Sequence, residues 1–457
     1  MRHRPERRLL SGRWSRRPDV ADVAAQAAAL QVWAYPLIFA QRMRLNLTQP
    51  SDPHGPRPET SAGAPVGTLG HQRSLADPSL KVGVAPNVDT LYSLAWLDLD
   101  AGAYEVTLPD PGERYLSLQA GCADTSSPVV VSRRAYGAEL PAVRIRRGPR
   151  AVSEEGGVLR LSTPERWVMV VGRTGVDPLD ADDLADAHAL QDKIGLTLDP
   201  DAGVGAAPTS RAVDRRIDEL SRQDEILEPS TFATALSVVL DDLGPGQVPE
   251  SLMSYVSGEQ LAGLADGSAS EEAVLSFAAG LRTGHQDIRR RVEHLGRTVN
   301  GWSINDRGPD FGDDLLLRAA VAHAQIYVNP VAEAVYPVCQ TDADGEGLDG
   351  RNGPYVIEFA PGELPPVQAF WSLTMYHREG LLVDNPLGRY AVGDRTPDLR
   401  YGADGGLRMS LSVSEPDSGP ANWLPAPDGP FRLMLRLYWP DGAEAWEPPC
   451  VVREVAR

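Results

Sequence analysis

The feature that most constrains this chain is a change of hydrophobic period along its length. From about Asn87 to Gly172, short runs (YEVTL, RYLSLQA, PVVVS, AVRIR, VLRL, RWVMVVG) are separated by Pro, Gly and Asp turns, which predicts strands. The period of two returns near the other end. LRMSLSV sets Leu407, Met409, Leu411 and Val413 against Arg408, Ser410 and Ser412. FRLMLRLY sets Phe431, Leu433, Leu435 and Leu437 against Arg432 and Arg436. Such alternation predicts strands with one core face and one wet face. Between roughly 180 and 330 the pattern is helical, and a further helix, interrupted near Pro36, is expected from Val20 to Leu47. A chain of 457 residues is too long for one ordinary core. The expected fold is therefore α+β and multidomain, with two jelly-roll-like β-sandwich modules, an N-terminal helix and a mainly helical middle region. Its expected divisions are a flexible Arg-rich leader over 1–19, helix and first sandwich over 20–180, helices over 181–330, and the second sandwich over 331–457.

Charge narrows the partners. Lys and Arg number 44 against 63 Asp and Glu, a net charge of −19 that disfavours nucleic acid and anionic membrane. The Arg-rich leader has no apolar segment after it of the kind a secretory signal needs, and no run approaches the ~18 apolar residues of a membrane span. A cytoplasmic location is expected. Three scattered cysteines, Cys122, Cys339 and Cys450, make neither a disulfide framework nor a zinc site. GxGxxG, GxxxxGK[ST] and HExxH are all missing, so neither a nucleotide cofactor nor a metal is expected.

Several motifs remain as candidates for chemistry, each with a structural alternative. Asn87 and Asp89 share a face before a strand, where they could orient and deprotonate a substrate or simply form an Asx turn. Tyr115, Ser117 and Gln119 share the polar face of strand 114–120, either solvated or lining a binding mouth. Asp342, Asp344 and Glu346 imitate a calcium loop, but position twelve is Gly353, so a tight turn is expected. Trp371, Leu373 and Met375 should be core, with Ser372, Thr374 and Tyr376 opposite. Ser372 and His377 lack the strained elbow of a serine hydrolase. Arg389, Tyr390, Asp394 and Arg395 could clamp an anion or fix their own loop. Asn422 and Trp423 form a rigid turn, with Trp423 either a plug or a pocket wall. His188 and His323 read as helix-packing residues.

Two groups of segments are too specific to reflect composition. One is APNVDTLYSLAWLDL (85–99), with LPDPGERYLSLQAGCADTSSP (108–128) and LADAHALQDKIGL beyond it. The other is DADGEGLDGRNGPYVIEFAPGELPPVQAFWSLTMY (342–376), with NPLGRYAVGDR (385–395) and NWLPAPDGPFRLMLRLYWP (422–440). Together they resemble the bacterial family that joins domain of unknown function 1254 to domain of unknown function 1214, over nearly everything from about residue 25. The resemblance implies a multidomain α+β fold with jelly-roll-like modules and no general activity. The chain departs from the family pattern in AHAQIYVN after the helix holding Arg318, at His377, and in GCADTSSPVVVSRRAYG, which points to a specialised substrate. The Arg/Ala/Gly/Pro usage fits secondary metabolism, and the resemblance suggests ring-closing steps such as aziridine formation. The expected function is cofactor-independent catalysis on a small, anionic metabolite. Asp89 or Asp394 would act as base and Arg389 and Arg395 as clamp, with Asn87, Tyr115, Gln119, Tyr390, Asn422 and Trp423 around the substrate. A small-molecule-binding or partner-stabilising protein, homo-oligomeric or paired with a pathway protein, is the alternative, and a hydrolase the third. The site is expected where two sandwiches meet end to end.

Overall fold

The computed structural model describes residues 20–49, 57–80, 85–177, 180–202, 226–243, 246–253 and 259–454. The leader, and most of the helix expected in RAVDRRIDELSRQDEIL, lie outside the described residues.

The first sandwich uses β1 (Gly70–His71), β2 (Thr90–Asp98), β3 (Ala103–Thr107), β4 (Leu116–Cys122), β5 (Val129–Ser132), β6 (Ala142–Arg147), β7 (Ala151–Glu155), β8 (Val158–Thr163), β9 (Trp167–Gly175) and β10 (Gly195–Asp199). One sheet runs β1-β2-β9-β4-β5 and the other β10-β3-β6-β8-β7. Leu97, Leu116, Leu118, Val168 and Val170 of the first meet Val106, Val143, Ile145 and Leu161 of the second in one core. They occupy alternate positions of their strands, as a face packed on a core requires.

The second sandwich is built from β11 (Arg297–Val299), β12 (Trp302–Ile304), β13 (Ala334–Val335), β14 (Val338–Cys339), β15 (Tyr355–Phe359), β16 (Val367–His377), β17 (Ala391–Gly393), β18 (Leu407–Ser412), β19 (Trp423–Pro425), β20 (Phe431–Pro440) and β21 (Val451–Arg453). Its sheets run β11-β12-β14-β20-β16-β17, with β13 also on β20, and β19-β18-β15-β21. Trp371, Leu373, Met375, Leu433, Leu435 and Leu437 pack against Tyr355, Ile357, Leu407, Met409 and Leu411. The middle of the chain is thus less purely helical than expected: Gly195–Asp199 extends the first sandwich and Arg297–Ile304 opens the second.

The helices form a layer of their own. Val20–Thr48 is one helix that runs through Pro36 instead of breaking there. Its 18-residue apolar windows meet the length and composition of a membrane span, yet Leu30, Trp33, Ala34 and Leu37 are core residues. Packing overrides the lost proline hydrogen bond because Glu271–Val292 lies directly against this helix. A Cβ on Gly280 would meet the Ala24 carbonyl oxygen at 2.2 Å, and one on Gly284 the Ala28 oxygen at 2.6 Å. Glycine costs a helix interior about 1 kcal/mol, and here it permits close backbone approach. The helices Pro229–Asp242 and Leu315–Gln325 complete the layer.

Candidate functional site

The sandwiches meet through strand faces, not through the loops at their ends as anticipated. On β4 and just before it, Tyr115, Ser117 and Gln119 point away from the first core and are buried. Tyr115 packs its ring edge-on against Phe370 and Tyr438, with centroids 5.7 and 5.1 Å apart. On β16 and β20, the faces opposite the second core carry Ser372, Thr374, Tyr376, Arg436 and Tyr438, all buried. The face expected to be wet is therefore a dry seam, and every polar group in it needs a partner.

Asn87 to Asp89 crosses this seam. Asn87 forms the Asx turn, its Oδ1 accepting the Asp89 N–H at 2.7 Å, while its Nδ2 donates to the Tyr438 hydroxyl at 2.8 Å. Asp89, 3% exposed, accepts from the Ser372 hydroxyl at 2.6 Å and from Arg395 at 3.0 Å. Arg395 also donates to the Val176 carbonyl and stacks 3.6 Å over the Phe370 ring. The local turn and the long-range clamp are both present, and both carboxylate oxygens of Asp89 are used by the opposite module. A second cross-module carboxylate, Glu333, accepts from Ser132 at 2.7 Å and the Trp439 indole at 2.9 Å.

Two arginines lie deeper. Arg436, 2% exposed, donates to the Thr374 hydroxyl at 2.7 Å, the Tyr376 hydroxyl at 2.6 Å and the Ala85 carbonyl at 3.0 Å. Arg173, 5% exposed, donates to Gln119 Oε1 at 2.7 Å, Asn329 Oδ1 at 3.0 Å and the Tyr327 carbonyl at 3.0 Å. Every one of these acceptors is uncharged. Among the described residues, neither guanidinium has a carboxylate within 4.0 Å. Burial by itself would release the Arg436 proton more readily, but the Tyr376 and Tyr438 phenols and the Asp89 charge hold it raised. Both side chains line one cavity of about 180 Å³ with Asn87, Tyr92, His323 and Tyr336. Burial pushes the Tyr336 phenol up to about 12, against the pull of the Arg173 charge. The cavity is bounded by both sandwiches and, through Phe39 and Met43, by the N-terminal helix.

A separate cleft of about 360 Å³ opens on the other side of the Asn87–Asp89 turn, lined by Asp89, Ser372, Arg389, Tyr390 and Arg395. The structure thus gathers four of the sequence candidates in one cleft. Asp394 stands at its exposed side, accepting the Trp371 N–H at 3.1 Å. Desolvation of its carboxyl lifts it to about 6, opposed by that bond and by Arg395. Arg389 is a loop tie, donating to the Trp423 carbonyl at 3.0 Å and also to that of Pro420. Asn422 bonds the backbone of Arg400 and Arg408. Trp423 is a buried strand residue whose indole donates to Ser412 O at 3.0 Å, so it is the plug and not the wall. Tyr115 lines a third, open cleft, and Gln119 sits under Arg173.

The remaining motifs resolve toward structure. Asp342 Oδ1 accepts the Asp344 and Glu346 N–H groups in a turn closed by a Thr341–Gly347 bridge. Ser372 is buried mid-strand and bonds Asp89, and His377 lies on the opposite face of that strand by alternation. The Cys122 thiol is buried and pushed far up, which suits an inert packing residue. His188 caps the Arg73 carbonyl at 2.7 Å.

Arg173, Arg436 and Tyr336 were not among the sequence candidates, and His323, read as a helix-packing residue, instead lines the cavity and bonds Tyr35. A signal for Arg436 existed: its face of β20 also holds Met434 and Tyr438, too apolar a set for solvent. Arg173 stands in RWVMVVGRTG, a strand apolar on both faces, where a cation has no wet side to occupy.

Two sandwiches with a helical layer and a polar seam define a two-domain α+β protein whose parts meet around a shared site. Residues 66–198 match the protein of unknown function family DUF1254, and residues 333–442 match DUF1214. The chain belongs to the proteins that carry these two domains in that order. Asn87, Asp89 and Arg173 fall in the first matched range, and Tyr336, Ser372, Arg395 and Arg436 in the second. The crystal structure of the VPA0106 protein from Vibrio parahaemolyticus is similar at 20% identity and a TM-score of 0.60, covering 96% of this chain and 100% of that one. That likeness shows a shared fold. An uncharacterized protein from Burkholderia cenocepacia is 15% identical, with 96% of each chain covered and a TM-score of 0.45. No curated protein matches the chain.

Proposed function

We propose that this chain is an enzyme for a small organic anion, held between its two domains by Arg173 and Arg436, with the chemistry supplied by its own side chains. The observation that carries this reading is the convergence of two buried guanidinium groups, one from each sandwich, on one cavity, with only uncharged acceptors around them. A buried charge is costly unless an opposite charge or several hydrogen bonds compensate it. An anion in the cavity would pair directly with both groups, and guanidinium suits carboxylate, sulfate and phosphate alike. At about 180 Å³ the cavity is smaller than the ~300–1,000 Å³ of sites for drug-sized ligands, so the ligand is small.

The test is calorimetric titration of malonate, sulfate and phosphate into the wild-type protein and into Arg173→Met and Arg436→Met. Each variant is expected to bind the preferred anion at least tenfold more weakly. Equal affinity in both variants, or no binding to the wild type at millimolar anion, sinks the reading. The finer placement, a ring-closing step in biosynthesis such as aziridine formation, rests on the sequence resemblance alone. Metabolite profiling of a gene deletion tests it, since an open-chain acidic precursor should accumulate. An unchanged metabolite profile would favour a non-catalytic binding protein that uses the same cavity.

A further inference from the structure

An enzyme for the anion needs a group that moves a proton, and the two carboxylates first suspected are badly placed for this cavity. Asp89 is committed to Ser372 and Arg395, and Asp394 stands on the side of the neighbouring cleft. We infer that His323 is the acid–base residue of the arginine cavity and that Tyr35 is its positioning residue. The inference rests on the anion-binding reading and names the residue that acts on what the arginines hold.

His323 lies near the end of the helix Leu315–Gln325, and its side chain lines the same cavity as Arg173 and Arg436. The Tyr35 hydroxyl is 2.7 Å from His323 Nδ1, reaching across from the N-terminal helix. A phenol is an apt partner for a histidine that changes protonation. It donates to Nδ1 when that nitrogen is bare and accepts from it when that nitrogen carries hydrogen. The contact therefore survives either tautomer and the imidazolium, while proton exchange is assigned to Nε2. Tyr35 is itself braced by Phe39, with ring centroids 5.9 Å apart, and His285 from Glu271–Val292 packs edge-on to His323 at 6.0 Å. Both His323 and Tyr35 lie outside the two matched family ranges.

Among the described residues, the titratable and charged groups that contact His323 or share its cavity include Tyr35, His285, Tyr92, Tyr336, Arg173 and Arg436. Neutral imidazole is the form able to act as base, and two fixed cations, Arg173 and Arg436, share its cavity. A bound anion offsets them and favours imidazolium. In the step itself, Nε2 takes a proton from a C–H, N–H or O–H of the ligand. The new N–H bond replaces that bond, whose electron pair stays on the ligand atom, and the imidazolium later returns the proton to a leaving group or to water. No electron is exchanged with an outside group.

The experiment is an NMR titration of ¹⁵N-histidine-labelled full-length protein against pH, without and with saturating malonate. The His323 signal is identified by its loss in His323→Gln and its displacement in Tyr35→Phe. Malonate is expected to raise the His323 midpoint by at least about 0.5 pH unit. In a deletion strain, His323→Gln should keep malonate affinity within about threefold and lower product at least about a hundredfold, the scale of general acid–base catalysis. Tyr35→Phe should lower product about tenfold and displace the pH optimum, which a merely structural tyrosine would not do. Bound malonate that leaves the His323 midpoint unmoved overturns the inference and spares the anion reading. Normal product from His323→Gln does the same. If the wild type binds none of malonate, sulfate or phosphate, both fall together. The wild-type titration decides the matter even if a variant folds poorly, because Tyr35→Phe and His323→Gln each suffice for the assignment.

Discussion

Two strands of the second sandwich, β18 and β20, read alike in sequence, each alternating aliphatic residues with arginine. Their fates differ. In β18 the arginine, Arg408, has a side chain 49% exposed and pairs with Glu358 and Glu454 at the surface. In β20 one of two arginines, Arg436, is buried against the first module and bonds a threonine, a tyrosine and a backbone carbonyl. The inward residues behave identically in both strands, since Leu407, Met409, Leu433 and Leu435 share one core. The difference is what covers the outer face: water for one strand, another domain for the other. Surface ion pairs of the Arg408 kind contribute little because water solvates both partners well. A buried guanidinium with uncharged partners is held there by its surroundings.

The contrast can be broken most directly at Arg436. Arg436→Met should destabilise the protein by about 3 kcal/mol in equilibrium urea unfolding, because three buried acceptors lose a charged donor. Arg408→Met should change stability by less than about 0.5 kcal/mol in the same assay. Equal effects would mean the two arginines are not differently used. A smaller effect is expected at the seam's edge. Asp89→Asn leaves the partly exposed Arg395 without its carboxylate, and about 1–2 kcal/mol should be lost. Should stability be unchanged while malonate binding is lost, Asp89 belongs to the ligand site and not to the domain clamp.

The smallest effect sharpens the same comparison through pH. The Asp394 carboxyl sits raised from an ordinary 3.8 to about 6, so the folded protein holds that proton more tightly than the unfolded chain. The stability contributed by this group is present below about pH 4 and is lost as pH rises from about 4 to about 6. Asp394→Asn should flatten the stability profile in that window. An unchanged slope between pH 4 and 6 would show that its carboxyl is as well solvated as an ordinary surface aspartate.

Much of the fold was legible in the residues themselves. Alternation assigned Trp371, Leu373 and Met375 to the core and Ser372, Thr374 and Tyr376 to the opposite face, as found. The Asx geometry of Asn87 was readable because it is local, a side chain bonding a backbone N–H two residues on. The continuous N-terminal helix was not, since a proline reads as a break until Gly280 and Gly284 bring another helix against it. Nor was the role of Trp423 legible, whose strand exists only because β18 runs parallel beside it.

What the sequence determined by itself, then, is which side chains share a face and which turns close locally, because both follow from backbone geometry over a few residues. What only the tertiary structure decided is the environment of each face. The bond from Ser372 to Asp89 spans 283 positions of chain, that from Asn87 to Tyr438 spans 351, and Tyr35 reaches His323 across 288. No local pattern encodes such meetings. They arise when two sandwiches and a helical layer exclude water from one seam, and desolvation turns ordinary polar residues into obligatory partners.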